Sequence, residues 1–223
     1  MFLIFFFLSL NNHDCFLNKV GSDLTYVISS PSRWERNDYI KLTGITASLG
    51  ALIFLDDDIR DEVQGYNGTV NDFVDPFEHL GSEIGIALLG GSILIGYVTD
   101  NDKIKQLSLS ASESAFISLS ITYLIKITMG RKRPALEEGP YKWTGPTLES
   151  GRMSMPSGHS AFAFAIASYI SSETDNLLVD ILSYACATLV GYSRIKDDQH
   201  WASDVYLGAL IGISVGRVIS ILD

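Results

Sequence analysis

Six apolar stretches of helical length confine this chain to packing helix on helix: Tyr39 to Leu55, Leu80 to Val98, Leu107 to Met129, Ser160 to Ser172, Leu177 to Tyr192 and Ala202 to Leu222. No long stretch alternates apolar and polar residues between hairpin turns, so strands are not expected. Ala, Gly and Ser recur within the runs and let helices approach closely. The pattern predicts an all-α fold, a single helical bundle of about six main helices. A chain of 223 residues suits one domain with a sizeable core. The expected organisation is an apolar leader or signal peptide over 1–20 and a helical domain over 30–223.

A helix crossing a bilayer needs about 20 mostly apolar residues. Lys41, Glu83, Glu113, Asp180 and Arg217 fall within or beside the runs, and the longest uncharged stretch, Ile84 to Thr99, stops short of that length. Such runs read as buried helices of a globular bundle. Membrane insertion is the alternative, with Glu83 and Asp180 at the lipid–water boundary. Phe2 to Leu10 has the apolar character of a secretory signal but no positive segment before it. The net charge of −10 argues against nucleic acid as a partner, which needs a basic footprint. A phosphate site here has to be a local positive pocket in an acidic protein. Cys15 and Cys186 form neither a metal-ligand cluster nor a disulfide framework, and Cys186, in an apolar run, is expected to be a buried small hydrophobe.

Two stretches interrupt the helical pattern. Asp56-Asp57-Asp58, with Arg60, Asp61 and Glu62, reads as a solvated helix start favoured by the helix dipole rather than as a metal site. The segment from Arg131 to Pro156, rich in Gly, Pro and charges, is long enough to be functional and to rim a pocket. Its Tyr141 and Trp143 are expected to pack, or else to touch an apolar leaving group.

Three polar clusters carry the chemistry. Lys126 and Arg133 lie seven residues apart, about two helical turns, so both are expected to project from one face toward a shared pocket. Arg offers a fork of donors for phosphate oxygens and Lys a point charge, with Arg131 and Lys132 as solvated neighbours. Pro156-Ser157-Gly158-His159 opens a helix, where free backbone N–H groups bind anions. Ser157 there caps the helix or donates to phosphate, and His159 sits beside the bound group, able to protonate a leaving oxygen. Arg194 ends one helix and His200 opens another, with Asp204 four residues on, a spacing expected to share one helix face. A carboxylate there fixes the imidazole tautomer and leaves the other ring nitrogen free to attack.

Taken together the clusters read lysine, six residues, Arg-Pro; then Pro-Ser-Gly-His; then Ser-Arg, five residues, His, three residues, Asp. At every signature position this resembles the type 2 phosphatidic acid phosphatase family, which includes bacterial acid phosphatases and is related to vanadium haloperoxidases. The resemblance covers roughly Lys126 to Asp204 as motif, and it implies an active site at one end of the bundle. It also implies a metal-independent hydrolase acting through a covalent phosphohistidine. His200 would be the nucleophile, Asp204 its orienting carboxylate, and His159 the general acid and then base. Lys126, Arg133, Ser157, Gly158 and Arg194 would bind phosphate. No cofactor and no metal is implied. The expected partner is a phosphorylated substrate, either a lipid phosphate or pyrophosphate at a membrane or, alternatively, a small phosphomonoester of a soluble acid phosphatase. Minor alternatives are a vanadate haloperoxidase and a non-catalytic phosphate-binding module. The leader and the family habit point to an exported, periplasmic or membrane-associated protein whose site faces outside the cytoplasm.

Overall fold

The computed structural model describes residues 13–65 and 69–223. Phe2 to Leu10, which suggested the leader over 1–20, lie outside the described residues, while 13–20 of that range belong to the first described helix. Eight α-helices account for most of the rest: α1 (His13–Ile28), α2 (Arg36–Gly65), α3 (Thr69–Leu80), α4 (Glu83–Val98), α5 (Asp102–Met129), α6 (Gly158–Glu173), α7 (Leu177–Lys196) and α8 (Ala202–Leu222). Short 3-10 turns occupy Ser30–Arg33, Pro134–Leu136 and Ser150–Arg152. The only β pairing among the described residues is one isolated bridge between Arg131 and Trp143. The all-α expectation is met. The count of about six is exceeded because α1 and α3 are amphipathic, polar-rich segments with no continuous apolar run to mark them.

Local chemistry sets several boundaries. The Asn101 and Asn176 side chains accept the backbone N–H groups of Ile104 and Leu178, capping α5 and α7. Gly130 ends α5 in the left-handed region at φ 62°, where a Cβ would also meet the Gly145 carbonyl. The first long helix departs most from expectation. The acidic run Asp56 to Asp58 lies inside α2 and does not begin a helix. Asp56 is fully buried, because partners elsewhere in the fold neutralise it.

Helix α6 sits at the centre, against α5, α7 and above all α8. The α6–α8 contact follows from a row of glycines one turn apart. A Cβ on Gly208, Gly212 or Gly216 would lie 2.4, 2.5 and 2.5 Å from the carbonyl oxygens of Ser157, Ala161 and Ala165. Only glycine lets the two backbones touch in this way.

The polarity of the bundle is inverted relative to a soluble one. Helix α5 buries Ser108, Ser110, Ser112, Ser114, Ser118 and Thr122 and turns Phe116, Leu119, Tyr123 and Leu124 outward. Helix α7 exposes Leu177, Leu178, Ile181 and Leu182 in the same manner. Cys186, expected to be buried, is exposed on α7. Three helices, α2, α7 and α8, are long and apolar enough to cross a membrane. Phe73–Leu80 with α4 makes a fourth if that pair, bent by 57°, is one span. Charges within the runs concealed that length: α2 continues past its apolar run through an acidic stretch, and α8 covers its whole run with Arg217 inside it. At the end away from the motifs, Lys19 of α1 bridges Glu113 of α5 (2.7 Å) and Asp223 (2.8 Å), which fastens α1 to the bundle.

The glycine row yields a stability prediction. Gly212→Val is expected to destabilise the detergent-solubilised protein by about 1–3 kcal/mol, the usual cost of overpacking. The check is a thermal unfolding midpoint, and an unchanged midpoint would show that α6 and α8 do not depend on this contact.

Candidate active site

The three motif clusters meet at one end of the bundle, where α5 and α7 finish and α6 and α8 begin. Lys126, in the last turn of α5, donates to the carbonyls of Met153 (2.7 Å) and Ser154 (3.0 Å). Arg133 does not share its helix. It follows the Gly130 cap in extended backbone at φ −73°, ψ 153°. The expected two-turn spacing along one helix face is therefore incorrect. The two residues are brought together by the fold of the 131–156 segment, through Arg133 N–H to Gly151 O (3.0 Å) and Ser154 N–H to Arg131 O (2.9 Å).

Ser157 caps α6, its hydroxyl accepting the Ser160 N–H at 3.4 Å, and it is fully buried. Its own N–H donates to the Asp204 carbonyl at 2.9 Å, tying the start of α6 to the start of α8. Gly158 is the first residue of α6, close enough to Lys126 that a Cβ would lie 3.9 Å from that side chain. His159 packs beneath the α3–α4 junction, where a Cβ on Gly81 would come within 3.0 Å of its ring.

His200 and Asp204 are not an i, i+4 pair on one helix face, because His200 precedes the N-cap Trp201. The pairing arises from capping. Asp204, at the third helical position, turns back so that Oδ2 accepts the Trp201 N–H at 2.9 Å and the Ser154 hydroxyl at 2.5 Å. That places Oδ2 3.7 Å from His200 Nδ1, a buried nitrogen with no hydrogen-bond partner among the described residues. The backbone N–H of His200 donates to Arg194 O (3.1 Å), which joins this loop to the end of α7.

Three basic side chains crowd the pocket, and burial, opposed by Asp204 and aided by the Arg133 charge, lowers the Lys126 ammonium to about 7. Arg133 donates to the Gln199 side chain, and Arg194 pairs with Glu78 of α3 (3.0 Å) and with Asp197. The Nε groups of both arginines are buried and lack partners among the described residues. Burial, with the Lys126 charge next, lowers the His200 imidazole to about 3, and Asp204 opposes this only in part. Burial, then Arg194 and Lys126, lowers His159 to about 4. Both rings are therefore neutral at physiological pH, held so by lost hydration and by cation repulsion. Among the described residues no three His, Cys, Asp or Glu side chains converge as metal ligands.

All eight sequence-predicted residues thus converge. The sequence missed a second set behind them. Arg131, read as a solvated neighbour, is fully buried and pairs with Asp204 (2.6 Å) and with Asp56 of α2 (2.7 Å). It lies between Trp143 and Trp201, its guanidinium carbon 5.0 and 5.6 Å from the ring centres. Trp143 is thereby a packing partner of Arg131, and Tyr141 is exposed. Arg60 grips Asp198 with two bonds (2.6 and 2.8 Å), fixing the loop that carries His200. The one available clue was the place of Asp56, directly after an uncharged apolar run. Arg131 offered none, hidden in the basic triplet Arg131-Lys132-Arg133.

A sequence model of the PAP2 superfamily matches residues 108–222. The chain is 43% identical over 67 residues to the lipid A 1-phosphatase of Porphyromonas gingivalis, a match covering 29% of this chain and 15% of that protein. It thus spans well under two thirds of that relative's length. The crystal structure of Aquifex aeolicus LpxE superposes with a TM-score of 0.54 at 26% identity, covering 76% of this chain and 96% of that one. A transmembrane PAP2-type phosphatidylglycerolphosphate phosphatase from Bacillus subtilis gives 0.58 at 18% identity, covering 81% and 94%. At that identity the second is a likeness of fold.

The depressed histidines can be observed directly. In an NMR titration, His200 and His159 are expected to stay neutral down to about pH 3 and about pH 4. Inorganic phosphate should move both midpoints upward, because an anion cancels the field of the cations and eases protonation. Ordinary titration of either ring near pH 6.5 in the free protein would contradict this electrostatic picture.

Proposed function

We propose that this chain, which belongs to the PAP2 superfamily, hydrolyses a lipid-linked phosphomonoester or pyrophosphate through a covalent phosphohistidine on His200. The observation that carries the reading is a neutral His200 whose Nδ1 faces Asp204 at 3.7 Å, beside the cations Lys126, Arg133 and Arg194. Binding alone needs the cations. It does not need a nucleophile backed by a carboxylate.

With Nδ1 directed at Asp204, the Nε2 lone pair of His200 is the one available to attack phosphorus. The N–P bond forms as the bond to the leaving oxygen breaks, and His159 delivers a proton to that oxygen. His159 is neutral in the free protein, so the substrate must help to charge it. A phosphate dianion among three cations removes much of the repulsion that depresses this imidazole. In the second step neutral His159 takes a proton from water, whose oxygen attacks phosphorus. The N–P bond breaks, releasing inorganic phosphate and restoring neutral His200. Lys126, Arg133, Arg194 and the first N–H groups of α6 hold the phosphate oxygens as the centre becomes five-coordinate. In this reading those groups supply the charge stabilisation without a metal.

The lipid assignment rests on the outward apolar faces of α5 and α7 and on an apolar groove of about 380 Å³ between α4, α6 and α7. Leu80 and Val190 line that groove, and a side chain at Gly81 would touch both Val190 and His159, so the groove ends beside the proposed general acid. An acyl or prenyl chain in the groove would bring its headgroup to the cations. The names of the relatives, lipid A 1-phosphatase among them, point the same way. With three candidate spans, we place the protein in a membrane, its site at one end of the bundle.

The test is phosphate release from phosphatidic acid, an isoprenyl pyrophosphate and p-nitrophenyl phosphate, with EDTA throughout. Release is expected to survive EDTA and to favour a lipid, to vanish in His200→Ala, and to fall roughly 10²–10³-fold in Arg133→Ala. Preference for p-nitrophenyl phosphate would favour a broad acid phosphatase instead. Full activity in His200→Ala would sink the phosphohistidine mechanism.

A further inference from the structure

Asp204 can orient His200 only if something orients Asp204, and a carboxylate on a single-bonded stem has two soft torsions. Its Oδ2 is held by Trp201 and Ser154, and its Oδ1 receives Arg131 Nη1 at 2.6 Å. Arg131 in turn has no freedom. Nε and Nη2 donate to the Pro140 carbonyl at 3.0 and 2.9 Å, Nη1 also donates to the Ser203 hydroxyl at 2.7 Å, and Nη2 also donates to Asp56 Oδ2 at 2.7 Å. Asp56 completes the frame by accepting the Ser203 N–H on Oδ1 (2.9 Å) and the Ser203 hydroxyl on Oδ2 (2.5 Å). Arg131, Asp56, Ser203 and Asp204 are all fully buried.

We propose that Asp56 and Arg131 are a positioning pair for the histidine chemistry, acting through Asp204 without touching substrate. The inference rests on the hydrolase reading above and deepens it. The pair does two things. Arg131 fixes the plane of the Asp204 carboxylate, so that Oδ2 can close from 3.7 Å to hydrogen-bond length when His200 gains positive charge in forming the N–P bond. Asp56 shares the guanidinium between two carboxylates, which leaves the trio with a net charge of −1 (two carboxylates, one guanidinium). Without Asp56 the Arg131 cation would fall wholly to Asp204 and cancel the negative charge that the developing imidazolium needs. The arrangement also makes α2, whose remaining residues are far in sequence from the three motifs, part of the catalytic scaffold.

The role differs from phosphate binding, and the difference is measurable. In the full-length protein, Asp56→Asn and Arg131→Gln are expected to lower kcat about 10–100-fold, the range typical of groups that orient a reacting ligand from behind. KM and the inhibition constant of inorganic phosphate should stay within about threefold, because Lys126, Arg133 and Arg194 remain in place. The double variant should lose little more than the worse single one, since the two act as one unit. Arg131→Gln leaves two buried carboxylates without their cation and is expected to fold poorly. The near-isosteric Asp56→Asn, checked by its unfolding midpoint, then carries the test alone. A folded Asp56→Asn with wild-type kcat overturns the inference and leaves the hydrolase reading intact. So does a loss of phosphate affinity in step with kcat, which would mean general disorder of the pocket. Wild-type protein that neither turns over nor binds phosphate overturns both.

Discussion

Two carboxylates and one guanidinium, all shut away from solvent, tie three distant parts of the chain together. Asp56 comes from α2, Arg131 from the segment after α5, and Asp204 from the start of α8. An unpaired buried charge costs several kcal/mol, and breaking such a pair typically costs about 3–5 kcal/mol. The trio can therefore be buried only as a set: Ser154, Trp201 and Ser203 donate to the carboxylates, and Pro140 and Ser203 accept the other N–H groups of Arg131. This constraint explains why an acidic residue continues α2 where acidity alone would end an apolar run. It also explains why a basic residue beside two other basic residues turns inward.

The second constraint is the glycine row of α8. It sets the distance between α6 and α8 at backbone contact, and the Gly208 position faces the carbonyl of Ser157 itself. The N-terminus of α6 and the N-terminus of α8 thereby start side by side, joined by Ser157 N–H to the Asp204 carbonyl. One helix opening presents the first amides of α6 and His159, and the other presents Asp204 behind His200. The polar chemistry of the site depends on a packing detail, the row Gly208, Gly212 and Gly216, three residues with no side chain at all.

The all-α class and the convergence of Lys126, Arg133, Ser157, Gly158, His159, Arg194, His200 and Asp204 were legible in the sequence, through run lengths and through the joint motif. The routes to convergence were not. Arg133 was expected to follow the α5 helix but is delivered by a folded segment, because Gly130 turns the chain into the left-handed region first. His200 and Asp204 were expected on one helix face but meet through a capping turn, because Trp201 and not His200 is the N-cap. Arg131 was invisible, and Asp56 was marked only by its place after an apolar run, because their burial is decided by partners 75 residues apart. Membrane-crossing length was likewise hidden, since α2 runs on through charged residues that the fold pairs or places at its end.

The cations of the site are also its specificity problem. In the free protein each is partly answered from within: Lys126 by two carbonyls, Arg133 by Gln199, Arg194 by Glu78 and Asp197. None of these partners, apart from the two carboxylates on Arg194, carries a full negative charge. In the proposed reaction a phosphate dianion would replace uncharged partners at Lys126 and Arg133, and at Arg194 it would have to displace the carboxylates of Glu78 and Asp197. Glu78 lies on α3, the helix whose junction with α4 covers His159. In the proposed reaction Arg194 would exchange Glu78 for a phosphate oxygen, and Glu78 belongs to the element that roofs the proposed general acid, so phosphate binding and the surroundings of the leaving group would share α3.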